Sequence, residues 1–132
     1  MSLVVDASAV TAALMDVGPE GRWAEELLTA EGLAAPHLMP AEVANILRRA
    51  VLAGELSSDV AGLAHADLLS LPVSLFPYAP LAERVWELRS NLTAYDACYV
   101  ALAEVLEAPL ATLDARLARA TGPRCAFLMP PG

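Results

Sequence analysis

A chain of 132 residues with sixteen acidic and eight basic side chains, net charge −8, is long enough for one domain around a single core. Apolar residues make up 57% and charged residues only 18%, so apolar surface beyond that core, and with it a partner or a self-interface, is expected. All eight basic residues are arginines, so there is no Walker A loop, and the lysine-dependent aspartate phosphate pockets of the receiver and dehalogenase types are set aside.

Leu3-Val4-Val5 is a β-branched-rich run that reads as a first strand, and Ser8 can cap a helix to about residue 14. Asp16-Val17-Gly18-Pro19 breaks the chain. A helix over 21–30 follows, with Trp23, Leu27 and Leu28 on one side. Residues 33–36 form a weakly signalled strand. Pro40 suits the first turn of a helix to about residue 53, where Gly54 stops it. Residues 57–71 read as a capped helix, 73–76 as a third strand and 81–89 as a further helix. Thr93-Ala94-Tyr95-Asp96 opens a long amphipathic helix to residue 107, with Tyr99, Leu102, Ala103 and Leu106 on its apolar side. Residues 110–113 are a fourth strand, 115–120 a short helix, 126–128 an edge strand and 129–132 a loose tail. Strands alternating with helices argue for the α/β class: one domain, 1–132, with a central parallel sheet of about four or five strands flanked by helices.

No apolar stretch approaches the roughly 20 residues of a membrane span. The start lacks a basic n-region and a cleavage site, so no signal peptide is expected. Cys98 and Cys125 do not make a disulfide framework; buried free thiols and a cytoplasmic location are expected.

The acidic residues carry the chemistry. Asp6 directly follows the first strand and Asp114 the fourth, and an acid in that position sits at the carboxyl edge, where open α/β sheets bind ligands. Asp96 lies in the first turn of the long helix. Two acids after two strands and one at a helix start read as a metal-ion cage. Glu42 is a fourth acid, sharing a helix face with Asn45 and Arg49, although the helix dipole alone also favours a first-turn carboxylate. Hard divalent cations want such oxygen ligands. Without a cation, each carboxylate pair at about 4 Å costs on the order of 4 kcal/mol at an effective dielectric near 20. The site should bind a cation or hold raised pKa values. Ser8 reads equally as a helix cap or as the holder of a water, and Thr112 as a turn residue or as one that orients Asp114. His37 and His65 lie away from these motifs, and packing is the default for Tyr95, Tyr99, Trp23 and Trp86.

Val4-Val5-Asp6-Ala7-Ser8-Ala9, Pro40-Ala41-Glu42-Val43-Ala44-Asn45, the stretch from Ala94 to Glu104 and the stretch from Pro109 to Leu117 resemble, in order, the motifs of PIN-domain proteins, more narrowly the VapC-type toxins of toxin–antitoxin pairs. The resemblance runs over essentially the whole chain. It implies that Asp6, Glu42, Asp96 and Asp114 are the catalytic and metal-binding quartet, with Ser8, Asn45 and Thr112 as supporting neighbours. It further implies an endoribonuclease using Mg²⁺ or Mn²⁺, RNA as substrate, a VapB-type antitoxin occluding the site, and a homodimer. Glu107-Ala108 stands where many members carry a glycine to end the helix. The chain is a poor general RNA binder by charge; Arg48, Arg49, Arg84, Arg89, Arg116 and Arg119 are the phosphate contacts on offer, which points to a narrow target. The alternative is a PIN-fold interaction protein with weak or no nuclease activity. A nuclease acting on DNA flaps is disfavoured, because the short chain has no helical arch.

Overall fold

The computed structural model describes residues 2–132. Strands β1 (Leu3–Val5), β2 (Leu33–Pro36), β3 (Ser74–Phe76), β4 (Leu110–Ala111) and β5 (Phe127–Leu128) form one sheet in the order β3-β2-β1-β4-β5. Every pairing is parallel, with Val4 opposite both Ala34 and Leu110. The chain adds strands on one side of β1 and then returns to its other side, so the strand order reverses between β1 and β4. That switch point is where a crevice opens at the carboxyl edge of such sheets.

Among the described residues seven helices flank the sheet: α1 (Ala7–Met15), α2 (Pro19–Leu27), α3 (Met39–Leu52), α4 (Ser58–Ser70), α5 (Ala82–Glu87), α6 (Ala94–Leu106) and α7 (Ala115–Ala118). A 3₁₀ turn, Ala79–Leu81, leads into α5. Among the described residues no helix is long and apolar enough to cross a membrane.

The α/β class and the parallel sheet are as expected, and several elements differ in detail. Asp6, not Ser8, caps α1: its backbone is extended and its carboxylate accepts the Ala9 amide. Ser8 lies inside the first turn instead. The second helix begins at Pro19, whose fixed φ suits that position, and ends at Leu27. Gly21 is required there, because a Cβ would fall 1.8 Å from the Asp16 carbonyl oxygen. Strand β4 stops at Ala111, because the Leu113 amide turns to Ser8 Oγ.

Helix α6 is not amphipathic. Ala97 to Ala103 are all buried, since the helix packs on β1, β2 and β4 on one side and on α5 on another. Its small side chains allow that close approach. It ends on Glu107 in the left-handed region, φ 52°, without the usual glycine. Trp86 also departs from expectation: it is exposed, with the Arg89 guanidinium 4.6 Å from its ring centre. In the tail, Met129 and Pro130 are half-buried.

Arg84 ties the far side together. Its guanidinium donates to both oxygens of Glu104, at 2.7 and 3.1 Å, and to the Gly122 carbonyl, while Glu104 accepts the Arg124 amide. Both free cysteines are at least partly covered, Cys98 buried and Cys125 half-buried.

Candidate active site

Four separate elements deliver the four acids. Asp6 leaves β1 at the switch point and is 7% exposed. Asp114 follows β4 and caps α7, its Oδ1 accepting the Arg116 and Leu117 amides at 2.9 and 3.3 Å. Asp96 stands in the first turn of α6, which Thr93 caps by accepting the Asp96 amide. Glu42 stands in the first turn of α3.

These carboxylates feel one another. Burial pushes Asp6 above its ordinary value, the hydroxyls of Ser8 and Thr112 and the Ala9 amide act in the opposite sense, and the charge of Asp114 adds to the rise. Asp96 is raised by burial first, then by Asp114 and Asp6. Glu42 is raised by burial, with a Tyr99 bond opposing and the charges of Asp96 and Asp6 adding. The quartet therefore converges on one region. Among the described residues, however, no three acid, imidazole or thiol groups stand close enough to close around a single ion. The acids are neighbours whose charges act on one another.

A web of hydroxyls joins the two strand-end acids. Ser8 Oγ donates to Asp6 Oδ1 at 2.6 Å and accepts the Leu113 amide at 3.0 Å. Ser8 Oγ also lies 3.5 Å from Thr112 Oγ1. Thr112, fully buried, accepts the Asp114 amide at 3.0 Å. Asn45 is exposed, and among the described residues no hydrogen bond joins it to an acid.

Tyr99 is the residue that sequence reasoning passed over. Its side chain is buried, as its place on the apolar face required, but its hydroxyl donates to Glu42 Oε1 at 2.6 Å. Burial and then the Glu42 carboxylate push the phenol far above its ordinary value, so it stays a donor. The available signal was spacing: Tyr99 is three residues after Asp96 and shares its helix face.

Asp96 and Asp114 line a cleft of about 500 Å³ together with Thr93, Arg116 and Arg119. Of the six arginines singled out, these two border the acids. Arg84 is committed to Glu104, and Arg89 covers Trp86. A larger cleft, about 800 Å³, lies away from the acids between α2 and Pro130–Pro131.

Fold and site together define a small α/β domain that gathers acids at its sheet's switch point. The chain belongs to the PIN domain family, whose model matches residues 3–123. It is 47% identical over 123 residues to Ribonuclease VapC1 of Mycobacterium tuberculosis, covering 92% of each chain. It is 42% identical over 129 residues to VapC ribonuclease Mb0985 of Mycobacterium bovis, covering 98% of each. Among solved structures it superposes on PAE2754 from Pyrobaculum aerophilum with a TM-score of 0.73 at 29% identity, over 96% of this chain and 83% of that one.

Proposed function

We propose that this protein is a divalent-metal-dependent endoribonuclease, the toxin of a toxin–antitoxin pair, acting through Asp6, Glu42, Asp96 and Asp114. One observation supports the reading: four carboxylates from four elements lie near enough for their charges to act on one another, and no arginine is paired with any of them, the ion pairs among the described residues being those of Arg84. The ribonuclease names of the relatives supply the substrate class.

The donor set suits Mg²⁺ or Mn²⁺. It consists of hard oxygens, and Mg²⁺ takes one or two carboxylates with water and substrate phosphate completing its shell, so a groove without a three-acid cage is compatible with it. Asp6, Asp96 and Asp114 would hold the ion, with Glu42 beside them. Such an ion would supply Lewis acidity toward a phosphoryl oxygen and make a water held on it more acidic than bulk water.

The chain's own residues orient the ligands. One oxygen is already engaged in three of the acids: Asp6 by Ser8 and Ala9, Asp114 by the α7 amides, Glu42 by Tyr99. The second oxygen of each is left to act. Arg116 and Arg119, in the cleft beside Asp96 and Asp114, suit a neighbouring phosphate.

An inhibitory partner follows from the same chemistry. A pocket of carboxylates flanked by exposed apolar side chains such as Tyr95 complements an apolar peptide bearing an arginine, whose fork pairs with a carboxylate and competes with metal. Self-association is part of the proposal, supported by exposed Leu52, Val60 and Leu63 on α3 and α4. The competing reading, an interaction protein with little nuclease activity, draws on the missing three-acid cage. Mapping RNA cleavage sites across total cellular RNA after induction separates the two. Discrete cuts made by the wild type and absent with Asp6→Asn support the nuclease; identical RNA profiles support the interaction protein.

A further inference from the structure

A second cleft opens at the carboxyl ends of β2 and β3, on the opposite flank from Arg116. It measures about 420 Å³ and is lined by Pro36, His37, Leu38, Phe76, Tyr78 and Cys98. We propose that this cleft receives one unpaired nucleobase of the RNA, stacked against its aromatic side chains, beside the phosphate that reacts at the acids. The inference rests on the ribonuclease reading and adds to it the place where a base is held.

Position is the first argument. Strand β2 adjoins β1, which leads into Asp6, so the cleft begins one strand spacing, about 5 Å, along the sheet edge from β1. Cys98 supplies part of the lining and lies between Asp96 and Tyr99 on α6. That separation suits a backbone phosphate and the base attached to it.

Composition is the second. An imidazole, a phenyl ring and a phenol contribute to the lining, and no carboxylate or guanidinium does. The cleft therefore carries no fixed charge from a carboxylate or guanidinium, while it offers π-faces. Bases of single-stranded RNA are recognised by stacking on Phe, Tyr and His, whereas a base within a duplex cannot reach such a site.

The walls are also built in advance. The His37 amide donates to the Phe76 carbonyl at 2.8 Å, and Pro36 pairs with Phe76, which fixes the two sides in register. Phe76 is half-buried, whereas His37 is exposed and Tyr78 is 52% exposed, so an apolar interior meets an open mouth. Along the carboxyl edge the order is aromatic cleft, acids, arginine-lined cleft. A single strand lying along it would place a base, the reacting phosphate and a further phosphate in turn.

The test uses the full chain and short single-stranded RNA carrying 2-aminopurine at each position in turn. The Asp6→Asn protein keeps the RNA intact during binding. Quenching of the probe at one register is expected, and adding Tyr78→Ala should weaken binding about tenfold, the order of one stacked base, with Tyr78→Phe restoring it. Phe76→Leu provides a second variant that keeps an apolar side chain at a half-buried position. On otherwise wild-type protein, Tyr78→Ala should raise KM more than it lowers kcat, and an abasic residue at the quenched position should erase the difference between the two proteins. Equal sensitivity to Tyr78→Ala with and without that base, or none at all, overturns the base site while leaving the nuclease intact. Tyr78→Ala weakening only the inhibitory partner assigns the cleft to that partner and overturns the proposal. A wild type that cuts neither these RNAs nor any site in total cellular RNA overturns the ribonuclease reading itself.

Discussion

Ser8 Oγ accepts the amide of Leu113 at 3.0 Å and so fastens the turn after β4 to the helix after β1. The same oxygen donates to Asp6, which makes one hydroxyl the joint between the two strand-end acids. Ser8→Ala removes both bonds and leaves a partly buried amide without its partner. A loss of about 1–2 kcal/mol in unfolding free energy is expected, with RNA cleavage reduced through displacement of Asp114. Denaturant unfolding and cleavage assays on the same sample measure both. Unchanged stability would show that water replaces the hydroxyl and that the joint is dispensable.

Much of this site was legible because strand ends mark it. Asp6 and Asp114 follow short apolar runs, and a parallel sheet places such residues on one edge whatever the helices do. Asp96 was equally plain at the start of a strong helix. The helix caps were harder: Ser8 and Asp6 are both good capping residues two positions apart, and only the backbone decides between them. Tyr99 was read as packing because its ring is buried, and a phenol's hydrogen-bond partner depends on a helix 57 residues away in sequence. His37 looked remote from the motifs, since β2–β3 pairing, not sequence distance, brings it beside Phe76 and Cys98. The amphipathic reading of α6 failed because its apolar residues were treated as one face, whereas alanines let both faces be covered.

The choice of substitution at the acids matters for stability. Asp6 and Asp114 each cap a helix through Oδ1, and asparagine keeps that acceptor while removing the charge. Asp6→Asn and Asp114→Asn should therefore fold normally and melt at the same temperature as metal-free wild type or higher, because like-charge repulsion is relieved. Asp114→Ala should instead lose about 1 kcal/mol with its cap. Thermal unfolding followed by circular dichroism distinguishes these; a collapsed fold in the asparagine variants would show that the charges themselves are structural.

The pH dependence of the metal-free protein has a definite sign. Burial and neighbouring carboxylates raise Asp6, Glu42 and Asp96, so the folded chain holds their protons more tightly than the unfolded chain. Their contribution to stability is full below the ordinary carboxylate range and is lost as pH rises through the raised values. Glu104 runs the other way: burial raises it, but the Arg84 bonds and the Arg124 amide lower it on balance, so its contribution fades only as pH falls through its lowered value. The melting temperature should fall from mildly acidic pH toward neutrality, and less steeply in Asp6→Asn. A wild-type melting temperature that rises over this interval would contradict the assignment.

Glu107 is exposed and ends α6 with a positive φ that glycine adopts without strain. Glu107→Gly should stabilise the protein by about 1 kcal/mol, the cost of a left-handed conformation for a residue with a side chain. Denaturant unfolding reads this directly, and RNA cleavage should not change, since the residue lies at the far end of α6 from Asp96. A destabilised variant would mean that the greater freedom of glycine in the unfolded chain outweighs the relief of strain.

The central claim is that the four acids form one cation-dependent catalytic centre. It is tested most directly by incubating purified wild type and Asp96→Asn with single-stranded RNA, in chelator and then with Mg²⁺ or Mn²⁺, while following the melting temperature of the same samples. Cleavage should occur only for wild type with metal, and metal should raise its melting temperature more than that of Asp96→Asn, as binding to the folded state requires. Equal cleavage by Asp96→Asn, or cleavage undiminished in chelator, would contradict it.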